Sequence, residues 1–418
     1  MKIKLFIYLF MLFPIINLAQ KPTLYIGGTL HIGDGTKIET SAISVLNGKF
    51  DLVADLSNIR IDPDAFDTII RLYGKHIYPG FILPNTTLGI TEIGAVRATH
   101  DFREVGEVNP NIRVLTAYNT DSKIIPTIRT NGVLLAQITP RGGLFSGQSS
   151  IFYLSGENWE DAVCKIDEGI HLYWPSIVKQ HGWWGDPGER ERNKIYEEKV
   201  TRIESILKKA KAYFEYHENI DLKMESMQGL FNGNKILYIH ANYANDIRRS
   251  IQMIKHLNIK NCVLVGGEEV LSVTDIIKKH KVPIILNRIH RLPNTEDRPI
   301  DEPFIQPQKL KALDIKFCFS YSGSMEAMGS RNLPFSAGTA VSYGLNYEDA
   351  VRALSLDAAE IMGIGTDLGS VEIGKDATFF ISTGDALDIS TNNIEHIFMK
   401  GLSINIDNHQ KKLYEKFK

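Results

Sequence analysis

The chain has 418 residues, 43% hydrophobic and 23% charged, with 47 Lys and Arg against 49 Asp and Glu. That is ordinary globular composition, long enough for about two or three domains or one large barrel with an attachment, and it excludes a disordered or fibrous chain. A net charge of -2 without basic runs argues against nucleic acid as a partner, because phosphate contact needs clustered positive charge.

The first residues read as a processing segment. Lys2 and Lys4 precede an apolar run from Leu5 to Ile16, broken by Pro14, and Asn17-Leu18-Ala19 offers a small residue before Gln20. The run is too short to span a bilayer, so residues 1–19 are expected to be a secretory signal peptide. No later segment is long and apolar enough to be transmembrane. The expected product is exported, periplasmic or extracellular. Cys164, Cys262 and Cys318 read as small apolar residues, and no Cys-x-x-Cys exists for a thiolate zinc site.

Residues 20–75 read as a small β unit. Thr23–Ile26, Thr29–Ile32 and Ala42–Leu46 are strand candidates, punctuated by Asp34-Gly35 and by the hairpin signal Asn47-Gly48. From Ile77 the rhythm changes. Ile77–Leu83, Gly132–Thr139, Ile236–Ala241, Cys262–Val265, Val282–Leu286 and Lys316–Ser320 are apolar runs, and the later ones alternate with amphipathic stretches such as Asp246–Leu257 and Val270–His280. Apolar strands alternating with helices indicate a parallel sheet covered on both faces, and residues 76–365 have the length of a (β/α)8 barrel of TIM type.

Residues 193–231 interrupt that rhythm. Ile203, Ile206, Leu207, Ala210, Tyr213 and Phe214 share one helical face, with Lys208, Lys209 and Lys211 as its solvated side, and Met224, Met227, Leu230 and Phe231 read as core. Asn346 caps a helix over Tyr347–Leu354. From Gly369 the chain is β-like again, so residues 20–75 and 366–418 are expected to form one composite β-sandwich beside the barrel.

Three segments carry a family resemblance. Gly74-Lys75-His76-Ile77-Tyr78-Pro79-Gly80-Phe81-Ile82 resembles the segment leading into the first barrel strand of the amidohydrolase superfamily. Gly369-Ser370-Val371-Glu372-Ile373-Gly374-Lys375-Asp376-Ala377 resembles its C-terminal signature. Thr139-Pro140-Arg141-Gly142-Gly143 with Ser146-Gly147-Gln148 resembles a loop of the imidazolonepropionase-like branch. The resemblance implies hydrolysis of non-peptide C–N bonds by water activated on one or two divalent metals. It also implies a His-x-His at the end of strand 1, His residues on strands 5 and 6, and an Asp on strand 8.

The sequence departs from that ligand set. The His-x-His position reads Asn85-Thr86-Thr87, and neutral oxygens are poor zinc ligands beside imidazole. The bridging position falls near His171, the strand 5 position is His240, the strand 6 position is Gly266, and the strand 8 position falls in Ser320-Tyr321-Ser322. Asn85, Thr87, Arg141, His171, His240 and His290 are therefore the pocket candidates. His240 and His171, with His290 as a third, are the candidates for a single zinc-like metal, and a hydrogen-bonded lumen histidine is the other reading of His240. Arg141 beside Gly142-Gly143 reads as an anion nest or a plain loop. Asp101, Glu104 and Glu107 read as mouth acids or as a solvated loop, His181 as a ligand or as a surface-loop residue, and Trp174, Trp183 and Trp184 as a wall for a ring-shaped ligand or as packing.

Three functions stay open at this point. The chain is a C–N hydrolase with a reduced metal site, a non-catalytic barrel that binds a small-molecule ligand, or a partner that pairs with itself or with an intact amidohydrolase homologue.

Overall fold

The computed structural model describes residues 21–180, 188–295, 297–323 and 325–418. The expected signal peptide, His181, Trp183 and Trp184 lie outside the described residues. Among the described residues no helix is long and apolar enough to cross a membrane.

The N-terminal strands are β1 (Thr23–Ile26), β2 (Thr29–His31), β3 (Lys37–Ile38), β4 (Ser41–Leu46), β5 (Lys49–Asp55), β6 (Thr68–Arg71) and β7 (His76–Pro79). They divide between two sheets. One runs β5-β4-β1-β6. The other begins β3-β2-β7 and continues into strands from the far end of the chain. Asn47 and Gly48, with φ of 51° and 79°, turn β4 into β5, as the paired left-handed residues of a tight hairpin require. A small core of Tyr25, Leu30, Ile43, Phe50, Phe379 and Phe398 joins the two sheets.

The barrel sheet is built from β8 (Phe81–Thr86), β9 (Val133–Ile138), β10 (Phe145–Tyr153) and β11 (Val163–Tyr173). After a surface hairpin of β12 (Val178–Gln180) and β13 (Arg190–Arg192), it continues with β14 (Ile236–Ala241), β15 (Asn261–Gly266), β16 (Ile284–Leu286) and β17 (Phe317–Phe319). The order is β8-β9-β10-β11-β14-β15-β16-β17, an eight-stranded, nearly closed barrel. The apolar run expected as one strand over Ile77–Leu83 is split at Gly80: β7 belongs to the six-stranded sheet and β8 to the barrel.

One strand departs from the all-parallel expectation. β10 is antiparallel to both β9 and β11, while the other neighbouring strands are parallel. The cause is the connection. Only Thr139–Leu144 links β9 to β10, too short for the crossover a parallel return needs. The resulting hairpin turn carries Arg141. Gly142 and Gly143 turn it with φ of 91° and 71°, and a Cβ at Gly143 would lie 2.8 Å from the backbone oxygen of Glu107.

Helices cover the barrel where amphipathic patterns stood, at Ala244–His256 after β14, Thr274–His280 after β15 and Glu302–Ala312 after β16. In the helix Tyr196–Glu215, Ile203, Leu207, Ala210 and Tyr213 are buried as expected, whereas Phe214 is exposed. Asn346 caps the helix Tyr347–Leu354, its side chain accepting from the Glu348 N–H at 2.9 Å. Asn346→Ala is expected to cost about 1 kcal/mol in a urea titration, the usual worth of an N-cap.

The chain then returns. β18 (Phe379–Ser382) pairs with β7, and β19 (Ile394–Met399) and β20 (Leu402–Ile404) complete the six-stranded sheet. The Gly369–Ala377 signature meets the N-terminal strands through backbone bonds such as Val371 N–H to Ile32 O, but forms no regular strand. Gly369 and Gly374, with φ of 96° and 87°, break its extended run.

Candidate functional site

A cavity of about 1030 Å³ opens where β8, β14 and β15 end, and Asn85, Thr87, Arg141 and His240 line it. Ile93, Phe102, Met325 and Met328 supply an apolar wall. Glu268, Asn287, Arg291 and Ser322 supply hydrogen-bonding groups.

Asn85 and Arg141 form its most elaborate cluster. Asn85 sits at φ 54°, a left-handed conformation that asparagine tolerates. One guanidinium nitrogen of Arg141 donates to Asn85 Oδ1 at 2.7 Å and to the Tyr173 hydroxyl at 3.2 Å. The other donates to the Asn85 carbonyl at 2.8 Å and to Glu326 Oε1 at 2.9 Å. Burial works against the Arg141 charge, but the Glu326 carboxylate and Tyr173 outweigh it and raise the Arg141 pKa. Glu326 Oε2 also accepts the Gly323 N–H at 2.9 Å.

His240 and His171 meet beneath. His240 Nε2 lies 2.9 Å from His171 Nδ1, and His171 Nε2 lies 2.8 Å from Ser149 Oγ. Ser149 donates to Glu168 Oε1 at 2.5 Å. Gln137 Nε2 donates to the same oxygen at 2.7 Å, and the Tyr238 hydroxyl donates to Glu168 Oε2 at 2.8 Å. Tyr238 stacks on His171 at 4.6 Å and Tyr173 on His240 at 4.0 Å. Burial pushes both imidazoles well below the ordinary histidine range, and Arg141 adds to it. Burial raises Glu168, against its three hydrogen-bond donors and Lys165.

These shifts have a sign. An unfolded chain takes up protons on His171 and His240 near pH 6.5, and the folded chain does so only at lower pH. Their contribution to stability is therefore present above pH 6.5 and is lost as pH falls through their depressed folded values. Glu168 works in the opposite sense. The slope of the urea midpoint against pH below 6.5 is expected to flatten in the His171→Asn, His240→Asn double variant.

The other candidates sit apart from this cluster. His290 bonds Thr339 Oγ1 at 2.7 Å and packs edge-on to Phe304, outside the cavity lining. Trp174 is buried, its indole N–H donating to the Tyr196 hydroxyl at 3.2 Å. Glu107 pairs with Lys199 and Arg202. The cysteines are unbridged, Cys262 and Cys318 buried and Cys164 half-buried.

The residues do not fit a divalent metal. Among the described residues no group of three or more His, Cys, Asp or Glu side chains is placed to hold one. The facing nitrogens of His171 and His240 are spent on each other at 2.9 Å, and the second His171 nitrogen is spent on Ser149. The Asn85 oxygens accept from a guanidinium, so a cation already stands at the strand 1 position. Gly266, at the strand 6 position, has φ 106°, and a Cβ there would press into Asn242 Oδ1.

Sequence reasoning missed Gln137, Ser149, Glu168, Tyr173, Tyr238 and Glu326. The left-handed Asp167, at φ 46° within an irregular β10–β11 register, was not visible in the sequence.

Residues 225–404 match the amidohydrolase family. Among solved structures, an amidohydrolase from Thermotoga maritima is 21% identical over 92% of this chain and 99% of its own, with a TM-score of 0.77. A Xaa-Pro dipeptidase with bound methionine is 12% identical over 92% of this chain and 100% of its own, at 0.58. Molinate hydrolase is 12% identical over 93% and 96%, at 0.54. No curated protein sequence matches. The match thus spans less than half of the chain, and the described residues share the fold of these solved structures. Nothing singles out the imidazolonepropionase-like branch.

Proposed function

We propose that this chain is a metal-independent, ligand-binding member of the superfamily, rather than a C–N hydrolase working through a divalent ion. The observation that carries this reading is the Arg141 guanidinium, held by Asn85, Tyr173 and Glu326 at the strand 1 position. It supplies the positive charge there, and the surrounding polar atoms are spent on it. The cavity remains, at the upper end of the usual range for small-molecule pockets. Its apolar wall and polar floor suit a small organic molecule with one apolar and one hydrogen-bonding end.

Thermal denaturation against a panel of such molecules tests this. A ligand at 100 times its Kd is expected to stabilise the protein by about 2.7 kcal/mol. Hydrolysis of any cyclic amide or peptide-like substrate that depends on added zinc, manganese or iron would overturn the reading.

We also take the chain to act outside the cytoplasm, on the strength of Lys2, Lys4 and the apolar run Leu5–Ile16. N-terminal sequencing of the mature chain is expected to begin at Gln20. A mature chain that retains Met1–Ala19 would contradict it.

A further inference from the structure

The buried side chains beneath the cavity have a direction that can be worked out bond by bond. The Asn85 N–H can only donate, and it bonds Gln137 Oε1 at 3.0 Å. This fixes the Gln137 amide, so its Nε2 faces Glu168 as a donor. With Ser149 and Tyr238, Glu168 accepts from three donors, which oppose the burial that raises it. Ser149 has one proton and spends it on Glu168, so its oxygen accepts from His171 Nε2–H. A neutral imidazole has one donor and one acceptor. His171 Nδ1 is then a lone pair, His240 Nε2 carries the proton it accepts, and His240 Nδ1 is left as a lone pair on a ring that lines the cavity.

We propose that Glu168, acting through Ser149 and His171, fixes the tautomer of His240, and that the cavity floor thereby selects ligands presenting a hydroxyl or amide N–H donor to His240. Glu168, Ser149 and His171 are positioning residues in this scheme, and His240 is the group that meets the ligand. The inference rests on the ligand-binding reading for its second half only. The tautomer is a property of the protein alone.

The surroundings support a fixed arrangement. Tyr238 lies nearly parallel to His171, at 9°, and Tyr173 nearly parallel to His240, at 12°, so both rings are clamped on a face. The charged groups that act on the relay are Lys165 and Lys235 toward Glu168, and Arg141 toward the two imidazoles. Burial keeps both rings neutral, the condition under which one nitrogen must be an acceptor. The cavity lining also includes the Glu268 carboxylate, which accepts from Asn287 at 3.1 Å.

Nitrogen NMR on full-length protein labelled at histidine tests both halves, with the His240 signals assigned by their loss in His240→Gln. The expected wild-type pattern is a pyridine-type Nδ1 and a pyrrole-type Nε2. In Ser149→Ala, His171 Nε2 loses its acceptor, and the His240 Nδ1 signal is expected to move toward the pyrrole type. Glu168→Met is expected to do the same. A protonated Nδ1 in the wild type, or a pattern unchanged in Ser149→Ala, overturns the relay. For selectivity the probes are phenol and anisole, which differ in the donor. Phenol is expected to shift the His240 Nδ1 signal, and anisole to leave it in place. Anisole acting as strongly as phenol, or neither acting, overturns the ligand assignment. Failure of the ligand-binding reading itself appears separately, as a metal-dependent hydrolysis.

Discussion

Arg141→Ala is expected to be the most damaging single substitution at the barrel mouth, costing about 3–5 kcal/mol of stability. The Arg141 and Glu326 side chains are only 16% and 12% exposed, so removing the guanidinium leaves a carboxylate mostly out of water with its cationic partner gone. The Asn85 carbonyl and amide oxygen lose their donors in the same step. Most of the loss is the penalty on the groups left behind, so it should be recoverable. Arg141→Met combined with Glu326→Leu is expected to be more stable than either single variant, because the uncompensated charge is then gone. Urea midpoints for the two singles and the double measure this. Additive losses would mean that the pair is not coupled.

The second large effect concerns introducing the metal ligands that the sequence resemblance implies. Asn85→His with Gly266→His returns two imidazoles to the strand 1 and strand 6 positions. It is nevertheless expected to yield a destabilised protein with no stoichiometric metal. Position 85 is left-handed at φ 54° and position 266 lies at φ 106°. A bulky residue held in such a region costs on the order of 1–3 kcal/mol at each site. At 266 the new Cβ also presses into Asn242 Oδ1, which is bonded to Asn287. The backbone at positions 85 and 266, as well as the side chains around them, works against an imidazole there. Tight zinc uptake by the double variant with unchanged stability would show the opposite.

The architecture was largely legible because apolar runs and helical periodicity report burial directly. The eight-stranded barrel, the Asn47-Gly48 hairpin and the Asn346 cap all follow from local rules. The inverted β10 was missed because strand direction depends on the length of one connection, Thr139–Leu144, and not on composition. The same turn brings Arg141 to Asn85, so the mouth cluster was missed with it. Asn85, Thr87, Arg141 and His240 were legible as lining residues through the family's pattern of positions. His290 was not distinguishable from them, because a lone histidine after a strand has no periodicity to say which way it faces. Glu168 was hidden because only the irregular register at Asp167 turns it toward Ser149, Gln137 and Tyr238.

With Arg141 at the strand 1 position, the barrel mouth is expected to work without a divalent ion. Elemental analysis of protein purified without chelator or histidine tag, before and after incubation with zinc, manganese and iron, tests it most directly. Well under one metal per chain is expected in each case, with a melting temperature that the ions leave unmoved. About one metal per chain, lost in His240→Ala, would contradict it.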